Sequence, residues 1–338
     1  MNRLLAALLG HPPRALGLAL LCYGAAVTAS GFDLQGHRGA RGLLPENTLP
    51  GFAKALSLGV STLELDLGLT RDGVLVVGHD PRLNPDLVRG PDGRWLFGPG
   101  LAIHSLRFAE LQAYDVGRLR PGSAYAARFK EQAGADGVRM PRFADVVDLV
   151  ERARNRSVRF NVEIKTDPHD AAATATPEAF ADALVAFVRE RGLTPRVTVQ
   201  SFDWRSLARV REVAPEFERS CLTSQQPGDD TVQAAEPGPK FWLAGLDPSA
   251  FAGSAPRLVA ATGARVWSPH ARDVTAERVR EARDLGLEVL PWTVNERSDM
   301  ERMIGLGVAG LITDYPDRLR AVMAERNMPL PVATPIAP

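Results

Sequence analysis

Residues 36–80 read GHRGARGLLPENTLPGFAKALSLGVSTLELDLGLTRDGVLVVGHD, and the order of elements within this stretch decides the fold. A short run before it, Phe32–Gly36, predicts a buried strand that stops at His37 and Arg38. After a loop, Asn47 or Thr48 caps a helix whose leucines, alanines and phenylalanine recur at helical spacing until Gly59, a C-terminal capping residue. Pro50 falls in the first turn, where the missing N–H has no helical partner to lose. A second strand, Thr62–Leu67, follows directly, so the unit is strand, helix, strand.

That second strand carries Glu64 and Asp66 two positions apart, which sends both carboxylates out of one face. Like charges held this close repel, and a divalent cation is the common reason to keep them together. Asp72-Gly73 predicts a tight hairpin turn into a return arm, Val74–Gly78, that ends at His79. With a two-residue loop Arg71 pairs with Val74 and His79 sits directly opposite Asp66. Opposite residues on antiparallel strands have Cβ atoms roughly 5 Å apart. One extra residue in the turn shifts that register.

Farther out, from residue 158 onward, short β-rich runs alternate with amphipathic helical patterns, the mark of repeated parallel βα units. The runs are Arg159–Ile164, Val197–Ser201, Phe217–Leu222, Arg265–Trp267, Glu288–Pro291 and Gly310–Thr313. Helical patterns cover Pro177–Arg191, Trp204–Val213, Thr275–Leu285 and Arg297–Gly305. With the two strands above, and Val74–Gly78 set aside because a two-residue turn cannot join parallel strands, the total is eight. The expected fold is α/β, a single (β/α)8 TIM-type barrel over residues 31–326. An open doubly wound sheet is the other candidate, but no GxGxxG loop follows the first strand.

Residues 81–140 break the alternation, being rich in Pro, Gly and Arg, and form an insertion after the second strand's hairpin; Phe143–Arg154 then reads as a helix leading back to the barrel. The tail, 327–338, has four prolines and no periodicity and is expected to be disordered. Residues 1–30 are expected to be a secretory signal peptide: Arg3 and Arg14 precede the apolar run Ala15–Val27, and Val27-Thr28-Ala29 offers a small-residue cleavage site. The run is short for a membrane span, so no stable span is expected in the mature chain, although an uncleaved anchor is the alternative. These features place the chain across the inner membrane, in the periplasm. Forty basic and forty acidic side chains leave no net field to attract nucleic acid or an anionic surface. Of the two cysteines, only Cys221 lies outside the signal, so no intrachain disulfide is expected and the thiol reads as buried.

Six short motifs in order resemble the glycerophosphodiester phosphodiesterase family: His37-Arg38-Gly39, Pro45-Glu46-Asn47-Thr48, Glu64-Leu65-Asp66, His79-Asp80, Glu163-Ile164-Lys165 and Trp292-Thr293-Val294-Asn295. The resemblance spans about Gln35 to Asp317. It implies that residues 81–140 form a small cap over the barrel mouth, and that His37 and His79 are the catalytic acid and base. Glu64, Asp66 and Glu163, on strands whose C-terminal ends meet at one mouth, form an all-oxygen set suited to Ca²⁺ or Mg²⁺. Arg38 and Lys165 are the cations available to a phosphodiester's charge, while Phe202 and Trp292 offer an apolar wall to glycerol carbons. Glu46 matches the family's glutamate and would orient the metal or a histidine.

Each residue also has a plainer reading. A histidine after a strand is often structural; Glu64 could be an ion-pair partner, Lys165 could simply pair with Glu163, Glu46 could cap a helix and Phe202 could be core. Asn295 is expected to cap the next helix, and Asp314 to fix the last strand-helix turn; His104, His169 and His270 join no constellation. The implied activity is metal-dependent hydrolysis of glycerophosphodiesters, small-molecule substrates, to sn-glycerol 3-phosphate and an alcohol. The alternatives are a lysophospholipase D-like phosphodiesterase and a protein that binds such diesters without turnover. A His-x-His metallohydrolase is disfavoured because the first strand ends in His-Arg-Gly.

Overall fold

The computed structural model describes residues 31–338 except 236, 237 and 239; the expected signal segment, with Cys22, lies outside the described residues. The strands are β1 (Asp33–Gly36), β2 (Thr62–Leu69), β3 (Leu75–Val77), β4 (Arg159–Ile164), β5 (Val197–Ser201), β6 (Glu218–Thr223), β7 (Gln225–Gln226), β8 (Asp229–Asp230), β9 (Val266–Pro269), β10 (Glu288–Val289) and β11 (Gly310–Thr313). The helices are α1 (Leu49–Leu58), α2 (Phe108–Leu111), α3 (Ala124–Arg128), α4 (Phe143–Arg152), α5 (Pro177–Glu190), α6 (Trp204–Val213), α7 (Ala255–Thr262), α8 (Ala276–Asp284), α9 (Arg297–Leu306) and α10 (Pro316–Glu325).

Eight strands run parallel in the order β10-β9-β6-β5-β4-β2-β1-β11. The ring closes where the Ala309 N–H donates to the Val289 carbonyl at 2.9 Å and the Ile312 N–H to the Pro291 carbonyl at 3.0 Å. This is the expected barrel and not the open sheet. Its logic is visible in β2, where Leu63, Leu65 and Leu67 are buried on the helix-facing side while Glu64 and Asp66 point into the barrel. The lumen is correspondingly polar. Asn161 Nδ2 donates to Gln35 Oε1 and to Gln200 Oε1, and Gln200 Nε2 donates to Glu64 Oε1 at 2.7 Å. These donors are satisfied by one another's oxygens, while Asn161 Oδ1 is buried without a hydrogen bond.

Helix α1 begins where the sequence placed it, with Thr48 as N-cap accepting the Gly51 N–H at 3.2 Å and Gly59 closing the helix at φ 87°. Thr48, not Asn47, is therefore the cap. Gly39 adopts φ 87°, and a Cβ there would lie 2.7 Å from the Gly51 carbonyl carbon, so only glycine lets the loop after β1 pass against α1.

The hairpin differs from expectation by one residue. Leu67 pairs with Val77, Gly68 with Val76 and Leu69 with Leu75, and the Thr70 N–H donates to the Val74 carbonyl. The loop is thus Arg71–Gly73, and Asp66 faces Gly78, not His79. Thr70 is the cause: its Oγ1 accepts the Val74 N–H at 2.9 Å and donates to Asp72 at 2.7 Å, which closes a wider turn.

The insertion packs Leu83, Val88, Ile103, Leu106, Leu111 and Met140 with Val76 of β3 in a second hydrophobic cluster. Direct contacts tie it to the barrel: Gln132 Nε2 donates to the Arg41 carbonyl, the Ala133 N–H donates to the Leu43 carbonyl, and Glu131 pairs with Arg318. The tail after α10 has no regular structure, yet it is held. The Thr334 N–H donates to the Leu56 carbonyl at 2.8 Å, its hydroxyl accepts from Asn155, and Ile336 packs on the core. Backbone hydrogen bonds and one apolar anchor supply the order that its composition did not suggest. Cys221 is a buried free thiol on β6. Among the described residues, no helix is long and apolar enough to cross a membrane.

Candidate active site

The strand register assembles the site. Asp66 on β2 pairs with Glu163 on β4, which pairs with Gln200 on β5, so these side chains share one face at the C-terminal half of the barrel. Gly36 pairs with Leu63, which brings the turn after β1, His37 and Arg38, beside Glu64. Carboxylate oxygens of Glu64, Asp66 and Glu163 lie within 4.8 Å of one another, and all three residues are buried. Above them opens a cavity of about 230 Å³ lined by His37, Arg38, Glu64, His79, Glu163 and Lys165, with Phe202, Leu222 and Trp292 on one wall and Arg41, Tyr125 and Arg128 elsewhere. His79 reaches this cavity from just beyond the end of β3 despite the shifted register.

Each candidate side chain is held by a specific partner. Arg38, at φ 51°, donates its backbone N–H to Glu64 Oε2 at 2.8 Å and its Nη1 to Glu46 Oε1 at 2.6 Å, while its Nε lies 3.1 Å from Asp66 Oδ2. Lys165 Nζ sits 2.8 Å from Glu163 and 3.2 Å from Asp66. Glu46 caps no helix; it sits behind Arg38 and also accepts the Tyr125 hydroxyl. Asn47 Nδ2 donates to Asp66 Oδ2 at 2.8 Å. Trp292 meets Phe202 edge to face at 5.3 Å and His270 at 5.2 Å, which brings one of the unassigned histidines up to the aromatic wall.

Both site histidines are oriented by carboxylates. His37 Nδ1 lies 2.7 Å from Asp314 Oδ1, and His79 Nδ1 lies 2.7 Å from Asp80 Oδ1. Nδ1 is therefore the protonated nitrogen in the neutral ring, and Nε2 is left free on each; that of His37 is 3.9 Å from Glu64 Oε2. Asp314 is itself fixed by Arg41, through Nε at 2.7 Å and Nη2 at 3.1 Å, and by Asn295 Nδ2 at 2.7 Å. Asn295 consequently braces Asp314; the following helix has Glu296 at its N-cap. Asp80 accepts a further bond from Asn84 at 2.6 Å.

Burial and charge set the ionisation. His37 is lowered to about 4, first by burial and then by Arg41, against the pull of Asp314; it is neutral at pH 7. His79 is lowered by burial, Arg38 and Lys165. Burial also works against ionised Asp314, but Arg41 and His37 hold it well below the usual range. Burial together with the neighbouring Asp66 and Glu163 pushes Glu64 well up, and burial raises Glu163 to about 7 in spite of Lys165. Burial opposes ionisation of Asp66 too, yet Lys165 and Arg38 beside it keep it charged.

This pattern tests the site against a cation. Four buried carboxylates, Glu46, Glu64, Asp66 and Glu163, face two full cations, Arg38 and Lys165. Asp66 Oδ1 is buried without a hydrogen bond, its neighbour Lys165 lying off the bonding direction. Two carboxyl groups in excess of the cations, oxygen donors alone and one oxygen without a hydrogen bond fit a hard divalent ion; the carboxylate set has no thiolate and needs no imidazole.

The profile of the Glycerophosphoryl diester phosphodiesterase family matches residues 37–318. The chain belongs to this family. A glycerophosphodiester phosphodiesterase of Caldanaerobacter subterraneus is 29% identical over 283 residues, covering 84% of this chain and 94% of its own. One from Bacillus subtilis is 28% identical over 295 residues, with 85% and 84% covered. Among solved structures, a glycerophosphoryl diester phosphodiesterase homologue from Silicibacter pomeroyi superposes with TM-score 0.77 at 38% identity, covering 88% and 95% of the two chains. An Oleispira antarctica phosphodiesterase, solved with its product sn-glycerol-3-phosphate, shares the fold at TM-score 0.62 and 20% identity, covering 86% and 96%.

Against the family's motif order, this structure gathers residues from six separated segments into one mouth. Sequence reasoning missed Arg41, Gln200 and Tyr125, and gave Asp314, Asn295 and Asn47 duller roles than they have. The available signal was polarity: Gln200 occupies a strand position that should be apolar in a barrel packed by branched residues.

Proposed function

We propose that this chain hydrolyses glycerophosphodiesters to sn-glycerol 3-phosphate and an alcohol, with Ca²⁺ or Mg²⁺ held by Glu64, Asp66 and Glu163. The observation that carries this reading is the pairing of His37 and His79, each with its Nδ1 on a carboxylate and its Nε2 free, on one cavity over the carboxylate cluster. Such a pair can take a proton from an attacking hydroxyl and return one to the departing alkoxide. The cation, when bound, supplies positive charge to the phosphoryl oxygens. Arg38 and Lys165, fixed by Glu46, Asp66 and Glu163, add charge that needs no rearrangement as negative charge builds on phosphorus-bound oxygen. Phe202 and Trp292 form an apolar wall suited to glycerol carbons.

A lysophospholipase D-like reading draws on Phe97, 92% exposed, and Leu101 on the insertion. Neither lines the cavity bounded by Leu83, Leu87 and Met140, with His79 and Arg82 also on its walls, which measures only about 50 Å³. It is far smaller than the cavity of about 230 Å³ above the carboxylates, so little of the apolar space lies on this side. Water-soluble diesters are therefore the better fit. Secretion, with residues 1–30 removed or kept as an anchor, completes the proposal; mass measurement of the mature N-terminus tests it. The deciding assay is glycerol 3-phosphate release from glycerophosphoethanolamine, with and without chelator, beside ethanolamine release from the corresponding lysophospholipid, whose other product would be the lysophosphatidate. Absence of turnover with an intact fold leaves only a binding role.

A further inference from the structure

The two walls of the mouth differ in chemistry. On one, Phe202, Leu222 and Trp292 offer carbon. On the other, the one-turn helix α3 brings Tyr125 and Arg128 out of the insertion. Tyr125 is fixed, since its hydroxyl donates to Glu46 and accepts from Arg41 Nη1 at 3.3 Å. Arg128 stacks over Tyr125 at 5.7 Å and over Phe129 at 5.5 Å, and the same Phe129 ring carries Arg41 at 4.7 Å on its own account.

The other cations of the mouth are spent. Arg38 pairs with Glu46 and Asp66, Arg41 with Asp314, and Lys165 with Glu163 and Asp66. Among the described residues no ion pair includes Arg128; only aromatic rings hold it. Stacking orients a guanidinium without neutralising it, so its forked donors stay available to a planar or tetrahedral oxyanion. A phosphodiester has two arms. A diester with its glycerol carbons on the aromatic wall would have Arg128 within the same cavity for its second arm, the departing alcohol.

Resting on the hydrolysis reading above, we infer that Arg128 is a specificity residue that favours diesters whose alcohol carries an anionic group, a carboxylate or a second phosphate, over those with an ammonium alone. A bare guanidinium repels a quaternary or primary ammonium and draws a carboxylate, so the residue acts on the difference between substrates.

Glycerophosphoserine and glycerophosphoethanolamine differ by one carboxylate and test this directly. The measurement is the ratio of their kcat/KM values in the wild type, in Arg128→Gln and in Arg128→Glu. The ratio is expected to favour the serine diester in the wild type, to fall by about tenfold in Arg128→Gln, and to fall further in Arg128→Glu. If Arg128 instead touches the phosphate common to both, both diesters weaken together; a ratio unmoved within twofold overturns the inference. The side chain is exposed, so the variants are expected to fold. Absence of turnover with either diester in the wild type is the failure of the hydrolysis reading. In that event calorimetric Kd values for the same pair read the same ratio, and the same twofold limit decides.

Discussion

Asp314 accepts a hydrogen bond from His37 Nδ1 at 2.7 Å although 277 residues separate them, because the first and last strands of the barrel, β1 and β11, pair side by side. Arg41 and Asn295 leave the carboxylate no freedom to turn. The carboxylate thereby selects the tautomer with Nε2 free. Asp314→Asn keeps the shape but can donate to Nδ1, which permits the wrong tautomer. We expect kcat to fall by about a hundredfold or more with KM little changed, and the acid limb of the pH–rate profile to move. A variant with a wild-type profile would assign Asp314 to the strand-helix turn alone.

On the proposed chemistry, His37→Ala and His79→Ala each remove one proton carrier. Each is expected to lower kcat by roughly 10² to 10⁴ in the glycerol 3-phosphate release assay, with circular dichroism unchanged. Both rings stand at the mouth, outside the hydrophobic core, so large losses of stability are not expected. Near-normal turnover in either variant would remove that histidine from the chemistry.

Cation binding is checked without reference to activity. Calorimetric titration of chelator-treated protein with Ca²⁺ and Mg²⁺ is expected to show one site. Glu64→Gln or Asp66→Asn should weaken it by about tenfold or more, because each removes a charged oxygen donor from a set with no spare. Cation binding should also release protons, since Glu64 and Glu163 are raised by burial and by their neighbours when no cation is present. Heat that is independent of buffer ionisation enthalpy would contradict this.

Much of the fold was legible because the barrel writes itself in periodicity: eight short strands, glycines at helix ends, and an alternation of Leu63, Leu65 and Leu67 with Glu64 and Asp66. Paired carboxylates and strand-end histidines were legible as chemistry for the same reason. The hairpin register was not, because it turns on one hydroxyl, Thr70, whose hydrogen bonds to Asp72 and Val74 widen the loop by a residue. Nor were the contacts that orient the site. Asp314 to His37, Asn47 to Asp66 and Gln200 to Glu64 are each set by ring closure or by register between distant strands, which no local pattern encodes. The ordered tail escaped for a related reason, as its hydrogen bonds are made to Leu56 and Asn155 far back in the chain.

Gly39 links the fold to the site. At φ 87° a side chain is strained, and a Cβ there would lie 2.7 Å from the backbone of Gly51 in α1. Gly39→Ala is expected to cost about 3 kcal/mol, seen as a lower urea midpoint with the slope unchanged. Because Arg38 and Glu64 meet through the adjoining backbone, its cation affinity should drop as well. A stable variant with weakened cation binding would mean that the loop, not α1, gave way.

Cys221 makes the folded protein sensitive to alkali. Burial pushes its thiol up to about 12, against weaker opposing pulls from Thr262 and Arg219, whereas an unfolded thiol titrates near roughly 8.5. A raised folded value means the folded chain holds the proton longer, so the stabilisation is complete below about pH 8.5 and is lost as pH rises toward 12. Other groups titrate in the same range, and the comparison with Cys221→Ala cancels them. Between about pH 8 and about pH 10.5 the wild type should lose roughly 2 kcal/mol more than Cys221→Ala in urea unfolding, whatever the variant's offset at neutral pH. The native thiol should also resist aromatic disulfide reagents until the protein unfolds, since it is both buried and protonated. Rapid labelling under native conditions, or parallel pH dependence in the two proteins, would show that β6 opens to solvent far more readily than its packing implies.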